Sequence, residues 1–323
     1  MRTALLIYNP QAGRLPVRPF ISTAAGTLKK AGWKVRVAQT RSGDHATHLA
    51  RRAAAQGLTA VFAVGGDGTV GQVASGLVGS DTALGILPAG TSNVLAKDFG
   101  LPPFNWTNWN ALQNNAELLA DAPIHSIDVG ICNKQPFLLW AGIGLDAMTV
   151  HTLEPRVRVE KFFAFPEYAA TAIWNASNWH GIRLTLHADG KAVEGHFLLA
   201  VANNIRRYMG GIAVLSPQAY LDDGLFDLWL FSGDSLADAL RHAFDLWSGR
   251  HLESEHIRRL PFQSLRVSAE TPIYIQADGE PLPPAQEVEI HIKQRALKML
   301  IPPRALSLLS NNQPSSQIVS EQA

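Results

Sequence analysis

The chain has 323 residues, 46% of them hydrophobic, which is enough for two cores at roughly 150 residues per domain. Its 28 lysines and arginines nearly balance 27 aspartates and glutamates. This balance excludes the broad basic surface that is typical of nucleic-acid-binding proteins. Any attraction to an anionic membrane surface must therefore be local.

Cys132 is the only cysteine, which excludes an internal disulfide and fits a reducing compartment. The apolar run after Met1 is short and lacks a small-residue cleavage site, so it predicts a first strand rather than a signal peptide. No apolar stretch reaches the ~20 residues that span a bilayer. We therefore expect a cytoplasmic protein, which must visit the membrane transiently if its substrate is a lipid.

The first 125 residues alternate short apolar runs with amphipathic ones, the order typical of a parallel sheet with helical crossovers. The pattern predicts strands at 4–8, 33–38, 59–64 and 83–87. It predicts helices at 21–30, 44–55, 70–77 and 93–99. Together these elements indicate an N-terminal α/β domain at 1–125, with a parallel sheet between two layers of helices.

After residue 125 the pattern changes to shorter runs that are typical of antiparallel strands. The predicted strands lie at 126–132, 137–142, 182–188, 195–203, 224–231, 265–269, 273–276 and 288–292. Helices are predicted at 161–175 and 235–249. We thus predict a mostly antiparallel, β-sandwich-like domain at 126–292. The tail at 307–323 is rich in Ser, Gln and Asn and is predicted to be disordered.

The strongest chemical signal is Gly65-Gly66-Asp67-Gly68-Thr69, between a predicted strand and a predicted helix. Glycines permit a tight turn, so that backbone N–H groups and the helix N-terminus can bind phosphate oxygens. The carboxylate of Asp67 would repel a phosphate unless a cation lies between them or it accepts a hydrogen bond from a ligand hydroxyl. A tight structural turn is the alternative.

Two further loops follow predicted strands: Leu-Pro-Ala-Gly-Thr-Ser-Asn at 87–93 and Asn-Pro-Gln-Ala-Gly-Arg at 9–14. Ligands bind at the carboxyl edge of parallel sheets, which these loops would share. Thr91 would bind a phosphate or a ribose hydroxyl, and Asn93 would orient a neighbouring loop. A plain helix N-cap at Asn93 and an ordinary turn at 9–14 are the alternatives.

Five segments together resemble the diacylglycerol kinase catalytic-domain family, in matching order and spacing to about residue 302. They lie at 9–13, 65–69, 84–93, 223–227 and 278–280. The resemblance is to the bacterial soluble branch, with sphingosine kinases and NAD kinases more distant. It implies an ATP site between an α/β domain and a β-sandwich-like domain, with residues 293–306 returning to the first domain.

The resemblance also implies roles for individual residues. The nucleotide would contact Asn9, Thr40, Gly65, Gly66, Asp67, Gly68, Thr69, Val70, Gly71 and Thr91. Glu280 would be the general base that accepts the proton of a lipid alcohol, with Asp67 as the second catalytic residue. Without the resemblance, the segment 278–281 would be a hairpin turn. The sequence departs from the family at Ala12, where Ser is usual, and at Val94, where an acid is common.

A Mg²⁺ site distinct from the metal that accompanies ATP is also implied by the resemblance. Its ligands would be the Asp223 carboxylate and the backbone carbonyls of Tyr220 and Leu225, all hard oxygen donors. An ordinary turn at 221–224, before a strand, is the alternative. ATP and Mg²⁺ are thus the expected cofactors.

These observations predict an ATP-dependent lipid kinase that converts diacylglycerol to phosphatidic acid. One alternative is a kinase for another lipid: a sphingoid, a ceramide-like lipid or phosphatidylglycerol. An NAD kinase shares the Gly-Gly-Asp-Gly loop and is the nearest enzymatic rival. A nucleotide-binding regulator without turnover is the alternative from another class. The sequence leaves the oligomeric state open, with a homodimer as one alternative.

Peripheral membrane contact is expected where basic and aromatic side chains adjoin. The segment that combines them contains Arg156, Arg158, Lys161, Phe162, Phe163, Phe165, Trp174 and Trp179. Packing of the aromatic residues into the second domain is the alternative, because aromatic stripes more often belong to a core. Trp106 and Trp109, which follow prolines, are a second candidate for the interface or for a domain junction.

Overall fold

The computed structural model of the protein describes residues 1–153 and 164–310, with backbone alone at 164–169. Within these residues the strands form one 13-stranded sheet and a separate two-stranded ribbon. The large sheet is parallel in its N-terminal part and antiparallel in most of its C-terminal part. The predicted α/β class with a β-rich second half is therefore confirmed.

The N-terminal part alternates strands and helices along the chain. Its elements are β1 (Thr3–Tyr8), α1 (Arg18–Lys30), β2 (Lys34–Gln39), α2 (His45–Ala55), β3 (Ala60–Gly65), α3 (Asp67–Leu77), β4 (Ala83–Pro88), α4 (Val94–Asp98) and α5 (Ala111–Ala120). The strands are parallel in the order β2-β1-β3-β4. Strands β3 and β4 are buried at every position, as expected for a parallel sheet covered on both faces.

Alternate residues of β1 show how the N-terminal layers are arranged. Leu5 and Ile7 pack in the core that contains α2 and α3, whereas Ala4 and Leu6 pack in the core that contains α1 and α5. Successive strand side chains point to opposite faces of a sheet. The helices therefore cover both faces, giving the three layers that the sequence predicts.

The C-terminal part is built mainly from antiparallel strands. Its elements are β5 (Ile124–Cys132), β6 (Gln135–Phe137), β7 (Trp140–Gly144), α6 (Leu145–Leu153), α7 (Ala164–Asn178), β8 (Ile182–Ala188), β9 (Lys191–Asn203), β10 (Arg207–Tyr208), β11 (Ala213–Val214), β12 (Phe226–Ser232), α8 (Leu236–Ser248), β13 (Ile257–Phe262), β14 (Ser264–Ala277) and β15 (Glu280–Leu300). No helix in the described ranges is long and apolar enough to cross a bilayer.

The long hairpin of β14 and β15 connects the two parts of the sheet. β15 pairs with β14 and β5, and its Met299 pairs in parallel with Leu84 of β4. The strand that begins at Glu280 thus ends beside the N-terminal sheet. The strands predicted at 265–269 and 273–276 are one strand, because the interruption is a shift of register rather than a turn.

Other elements differ from the sequence predictions. Helices α5 and α6 and strand β13 were not expected, and the strand predicted at 137–142 is broken between β6 and β7. The predicted disordered tail is wrong for 307–310, since Leu308 and Leu309 are buried and the amide of Ser310 donates a hydrogen bond to Asp222. Residues 311–323 lie outside the described residues.

Candidate active site

Four loops at the carboxyl ends of β2, β1, β3 and β4 form one rim of the parallel sheet. The amide of Thr40 donates to the carbonyl of Tyr8 at 2.9 Å, and the amide of Asn9 donates to Val64 at 3.1 Å. These bonds continue the strand pairing by one residue. Thr40 and Asn9 therefore lie side by side with the loop that starts at Gly65.

Glycines allow these loops to touch through their backbones. A Cβ atom on Gly90 would lie 2.2 Å from the Cα of Gly66, and one on Gly13 would lie 2.2 Å from the carbonyl oxygen of Ala89. Gly13 also has a φ of +63°, which disfavours residues with a side chain. At these positions glycine serves loop packing, so the structural alternative explains part of the motif.

Gly68 and Gly71 serve another purpose, because they face the opposite domain. A Cβ on Gly68 would lie 3.4 Å from Oε1 of Glu280, and one on Gly71 would lie 3.7 Å from Oδ2 of Asp278. The first turn of α3 and the tip of the β14–β15 hairpin thus face each other at close range. Asp67 directly precedes Gly68, so both predicted catalytic residues lie near the first turn of α3.

Asp67 is the first residue of α3 and connects two of the glycine-containing loops. Its Oδ1 accepts a hydrogen bond from the backbone N–H of Val94 at 2.7 Å. Burial raises the pKa of Asp67, against the lowering effects of the Val94 and Asn93 amides and of the nearby Lys97 ammonium. The departure at Val94 leaves this contact intact, because the contact uses the backbone.

Asn93 closes the loop after β4 upon itself. It has a φ of +50°, and its side chain both accepts from the amide of Gly90 at 3.0 Å and donates to the Gly90 carbonyl at 2.7 Å. It makes no side-chain bond to the helix that follows. Neither the predicted plain N-cap nor a contact to a neighbouring loop describes this side chain, since its bonds lie within its own loop.

Asp278 and Gly279 form the two-residue turn between β14 and β15. Their φ values are +52° and +82°, the positive values that two-residue type I′ hairpins require. The Asp278 carboxylate accepts hydrogen bonds from the amides of Leu138 and Leu139 at 2.7 Å each and from Trp140 at 3.3 Å. The segment is therefore the hairpin turn that the sequence offers as the alternative, and the catalytic role of Glu280 beside it stays a prediction.

The electrostatic setting of Asp278 differs from that of Glu280. Burial raises the pKa of Asp278 to about 7, although its three amide donors favour the charged form, and the charge of Asp67 adds to the increase. Glu280 is exposed, as the first residue of β15. The hairpin thus carries one buried carboxyl group that fixes the turn and one accessible carboxylate that reaches α3.

Two cavities meet at the hairpin tip. One, of about 320 Å³, is lined by Asp67, Thr91, Ser92, Lys97, Asp146, Gln276 and Asp278, among others. The other, of about 370 Å³, is lined by Arg51, Gly68, Gly71, Lys134, Asp278 and Glu280, among others. Basic and acidic groups thus surround both sides of the first turn of α3, a suitable setting for a phosphorylated ligand with a bound cation.

The remaining predicted nucleotide residues have different positions. Asn9 and Thr40 line neither cavity, although Nδ2 of Asn9 lies 3.4 Å from Oγ1 of Thr69. The side chains of Thr69 and Val70 are buried. Any contact from Val70 to a ligand would therefore have to use its backbone.

Three residues of the cleft were not predicted from the sequence: Lys97, Asp146 and Gln276. The Nζ of Lys97 donates to the carbonyl of Gly210 at 2.9 Å, and burial lowers the pKa of Lys97 while the charge of Asp67 opposes this. Nε2 of Gln276 donates to Oδ2 of Asp146 at 2.7 Å. The sequence signal that could have indicated Asp146 is the Gly-x-Gly pattern at the end of a strand, followed two residues later by this acid.

The predicted metal ligands lie just before β12. Oδ1 of Asp223 accepts a hydrogen bond from the amide of Leu225 at 3.0 Å. Burial raises the pKa of Asp223 to about 6, and the charges of Asp128 and Asp222 contribute. In the described part of the chain, no group of three His, Cys, Asp or Glu side chains could hold a metal. The predicted site uses one carboxylate and two backbone carbonyls. A cation bound there would offset the repulsion among the carboxylates of Asp223, Asp128 and Asp222.

Part of the predicted membrane contact can be located. Residues 156–163 and the side chain of Phe165 lie outside the described residues. Trp174 is 71% exposed, whereas Nε1 of Trp179 donates to the carbonyl of Leu198 at 2.9 Å. Trp106 is 63% exposed and contacts Trp109 edge-on, with ring centroids 5.2 Å apart.

Comparisons with known proteins agree with this architecture. The diacylglycerol kinase catalytic domain family matches residues 3–132, and the YegS C-terminal NAD kinase beta sandwich-like domain matches residues 141–309. The chain is 31% identical over 305 residues to a diacylglycerol kinase of Mycobacterium tuberculosis (strain CDC 1551 / Oshkosh), covering 91% of this chain and 93% of the relative.

Two further matches extend over similar lengths. A diacylglycerol kinase of Bacillus subtilis (strain 168) is 27% identical over 285 residues, or 87% of this chain and 90% of that protein. The crystal structure of a diacylglycerol kinase from Bacillus anthracis str. Sterne matches with a TM-score of 0.73 at 24% identity, covering 94% of this chain and 97% of that one. At that identity, the structural match supports the fold alone.

Proposed function

Since this chain belongs to the diacylglycerol kinase catalytic-domain family of lipid kinases, we propose that it phosphorylates diacylglycerol with ATP, giving phosphatidic acid. The observation that carries the proposal is the position of Glu280. Its Oε1 lies 3.4 Å from where a Cβ on Gly68 would be, at the start of the helix that follows the glycine-rich loop. A proton acceptor thus faces the predicted phosphate site.

Phosphoryl transfer depends mainly on positioning and charge stabilisation. The N-terminus of the 11-residue α3 presents backbone N–H groups that would bind phosphate oxygens. Lys97 lies beside Asp67 in the cleft and would offset the negative charge of the triphosphate. The rim loops would hold the nucleotide while the acceptor approaches from the C-terminal domain.

Glu280 would accept the proton of the lipid hydroxyl. At the same time the hydroxyl oxygen forms a bond to the γ-phosphorus, and ADP leaves. A carboxylate is a suitable group for such a base. The three hydrogen bonds from backbone amides to the Asp278 carboxylate would hold the hairpin tip at the distance that this transfer requires. Asp278 therefore acts as a positioning residue in this mechanism.

A resident Mg²⁺ would be held by the Asp223 carboxylate and the carbonyls of Tyr220 and Leu225. Burial raises the pKa of Asp223, and the Asp128 and Asp222 carboxylates add to this effect. The cation would supply positive charge beside these carboxylates and would stabilise the turn before β12. The residues that carry out the transfer lie elsewhere, at the start of α3 and at the hairpin tip. We further propose that the protein contacts the membrane transiently from the cytoplasm.

The test is incubation of the purified protein with [γ-³²P]ATP and mixed micelles that contain diacylglycerol. Parallel reactions contain sphingosine, ceramide, phosphatidylglycerol or NAD. We expect labelled phosphatidic acid as the main product. Preferential labelling of another lipid would replace diacylglycerol as the acceptor, and labelled NADP without any lipid product would contradict the proposal.

A further inference from the structure

A third cavity, of about 240 Å³, lies under α7 and α8 in the C-terminal domain. Apolar side chains dominate its lining, among them Ala176, Leu198, Phe231, Leu236, Ala239 and Leu246. Two polar side chains at this cavity bond to backbone: Oγ1 of Thr149 donates to Leu145 at 2.9 Å, and Nε2 of His242 lies 2.7 Å from the carbonyl of Ser232. The cavity therefore suits a hydrocarbon ligand.

The apolar cavity adjoins the polar cleft. Asp146 and Met209 line both the 240 Å³ cavity and the 320 Å³ cleft that contains Asp67 and Asp278. Asp146 is oriented by its bond from Gln276. A ligand with an apolar chain and a polar end would therefore have its chain in the cavity and its polar end near Asp146, facing the reaction site.

The outer surface above this cavity is apolar and exposed. Leu240, Phe244 and Trp247 occupy positions i, i+4 and i+7 of α8, so they share one helix face, and Trp247 is 76% exposed. On α7, Ile173 and Trp174 are also exposed. We call these five side chains the apolar rim. Exposed clusters of this kind mark contacts with proteins or membranes.

We propose that the cavity under α7 and α8 binds one acyl chain of a membrane-resident diacylglycerol, which enters as the apolar rim inserts into the bilayer. This rests on the proposed function and names the subsite for its substrate. Because ligand pockets usually exceed about 300 Å³, the cavity suits one chain rather than a whole lipid. Its position beside the cleft, with Asp146 and Met209 in both linings, is the reason to favour an acyl chain over a second protein.

A substitution that fills the cavity tests the chain site. Ala239→Phe places a ring into the lining, while Ala237→Phe adds the same ring to an exposed position of α8 outside the lining. The measurement is kcat/KM for dioleoylglycerol and for a short-chain, water-soluble diacylglycerol. Each buried methylene changes affinity by about fourfold, so Ala239→Phe is expected to lower the long-to-short ratio at least tenfold. Ala237→Phe should keep the wild-type ratio.

The outcomes separate this inference from the proposed function. If wild type phosphorylates both substrates and Ala239→Phe retains the wild-type ratio, the acyl-chain site is wrong while the kinase assignment stands. If wild type phosphorylates neither substrate, the assignment of diacylglycerol as the acceptor fails and the acyl-chain site fails with it. Circular dichroism and thermal unfolding of both variants establish that the ring has not unfolded the domain.

Vesicle flotation tests the apolar rim. The double variant Leu240→Ser/Trp247→Ser is compared with Val37→Ser/Leu118→Ser, which removes two exposed apolar side chains from the N-terminal domain. Burial of each such side chain contributes more than 1 kcal/mol, so the rim variant should bind diacylglycerol-containing vesicles at least about tenfold more weakly. A loss in the control pair that equals or exceeds the loss in the rim variant would overturn the proposal.

A second copy of this chain is the competing occupant of the apolar rim. Analytical ultracentrifugation of wild type and Trp247→Ser decides between them. A monomeric wild type with vesicle binding supports insertion into a bilayer. A dimer that Trp247→Ser dissociates would make the apolar rim a subunit interface and overturn the membrane assignment.

Discussion

The two sides of the reaction cleft are built on different principles. On the N-terminal side, the loops touch through backbone, and a Cβ on Gly90 would lie 2.2 Å from Gly66. On the C-terminal side, the chemistry depends on the side chains of Asp278 and Glu280. The first side should therefore be sensitive to a side chain added where its loops touch each other, and the second to the loss of charge.

The tip of the β14–β15 hairpin is also held in a different way from the glycine-containing loops at the edge of the parallel sheet. Asp278 bonds to amides that lie at least 138 residues earlier in the chain, whereas each rim loop follows its own parallel strand. A local motif therefore determines the shape of the rim, while long-range hydrogen bonds determine where the tip lies. Four substitutions test this difference, beginning with the largest expected effect.

Glu280→Gln should lower kcat for diacylglycerol phosphorylation by about 10²–10⁴-fold, the usual contribution of a general base. Because Glu280 is exposed, the thermal midpoint should change little. Steady-state kinetics in mixed micelles provide the measurement, and Glu287→Gln, an exposed position of the same strand, is the control. Equal kcat in the two variants would remove Glu280 from the mechanism.

Gly90→Ala should lower the free energy of unfolding by about 1–3 kcal/mol, because backbone must move to accommodate the methyl group. Nucleotide binding should weaken as well, since the two loops would separate. Urea denaturation and ATP titration measure the two effects. Gly26→Ala in α1 meets no atom within 4 Å and should stabilise the protein by about 0.5–1 kcal/mol. An unchanged stability in Gly90→Ala would contradict the close packing of the loops.

Asp278→Asn should alter the pH dependence of stability. Burial raises the pKa of Asp278 to about 7 from 3.8, so the folded state binds more protons than the unfolded state between these values. Its contribution to the free energy of unfolding is therefore greatest below pH 4 and falls as pH rises towards 7. Relative to Asp278→Asn, wild type should lose more than about 1 kcal/mol across this range.

Chemical denaturation of both proteins at several pH values measures this difference. Asp189→Asn serves as a control, since the Asp189 carboxylate also accepts hydrogen bonds from two backbone amides, those of Gln263 and Ser264, but at an exposed turn. If wild type and Asp278→Asn have parallel pH profiles, the carboxyl group is not buried in the way that the structure indicates.

Gly68→Ala should have the smallest effect of the four. The new methyl carbon would lie 3.4 Å from Oε1 of Glu280, a tolerable contact, so stability should change by less than about 1 kcal/mol. A slight displacement of Glu280 should lower kcat by less than about tenfold. A loss of stability as large as that of Gly90→Ala would show that the two sides of α3 are equally crowded.

Secondary structure was predicted correctly where the sequence shows a clear hydrophobic pattern, and was missed where it does not. The strands β1 to β4 were located because continuous apolar runs alternate with helices, and α8 was located because it is amphipathic. Helix α6 was missed because five of its residues are buried, leaving little polar periodicity. The predicted strand at 137–142 concealed the break that presents the amides of Leu138 and Leu139 to Asp278.

The sequence alone determined the glycine-rich rim and the Asp-Gly turn, because backbone conformation and close loop packing depend on local residue type. It also indicated Glu280, through a family resemblance rather than through spacing. Only the tertiary structure decided that Glu280 faces Gly68, that Lys97 and Asp146 line the cleft, and that an apolar cavity adjoins it. Such contacts join segments far apart in the chain. No local sequence pattern determines that the pairing of β14 with β15 places their hairpin turn against α3.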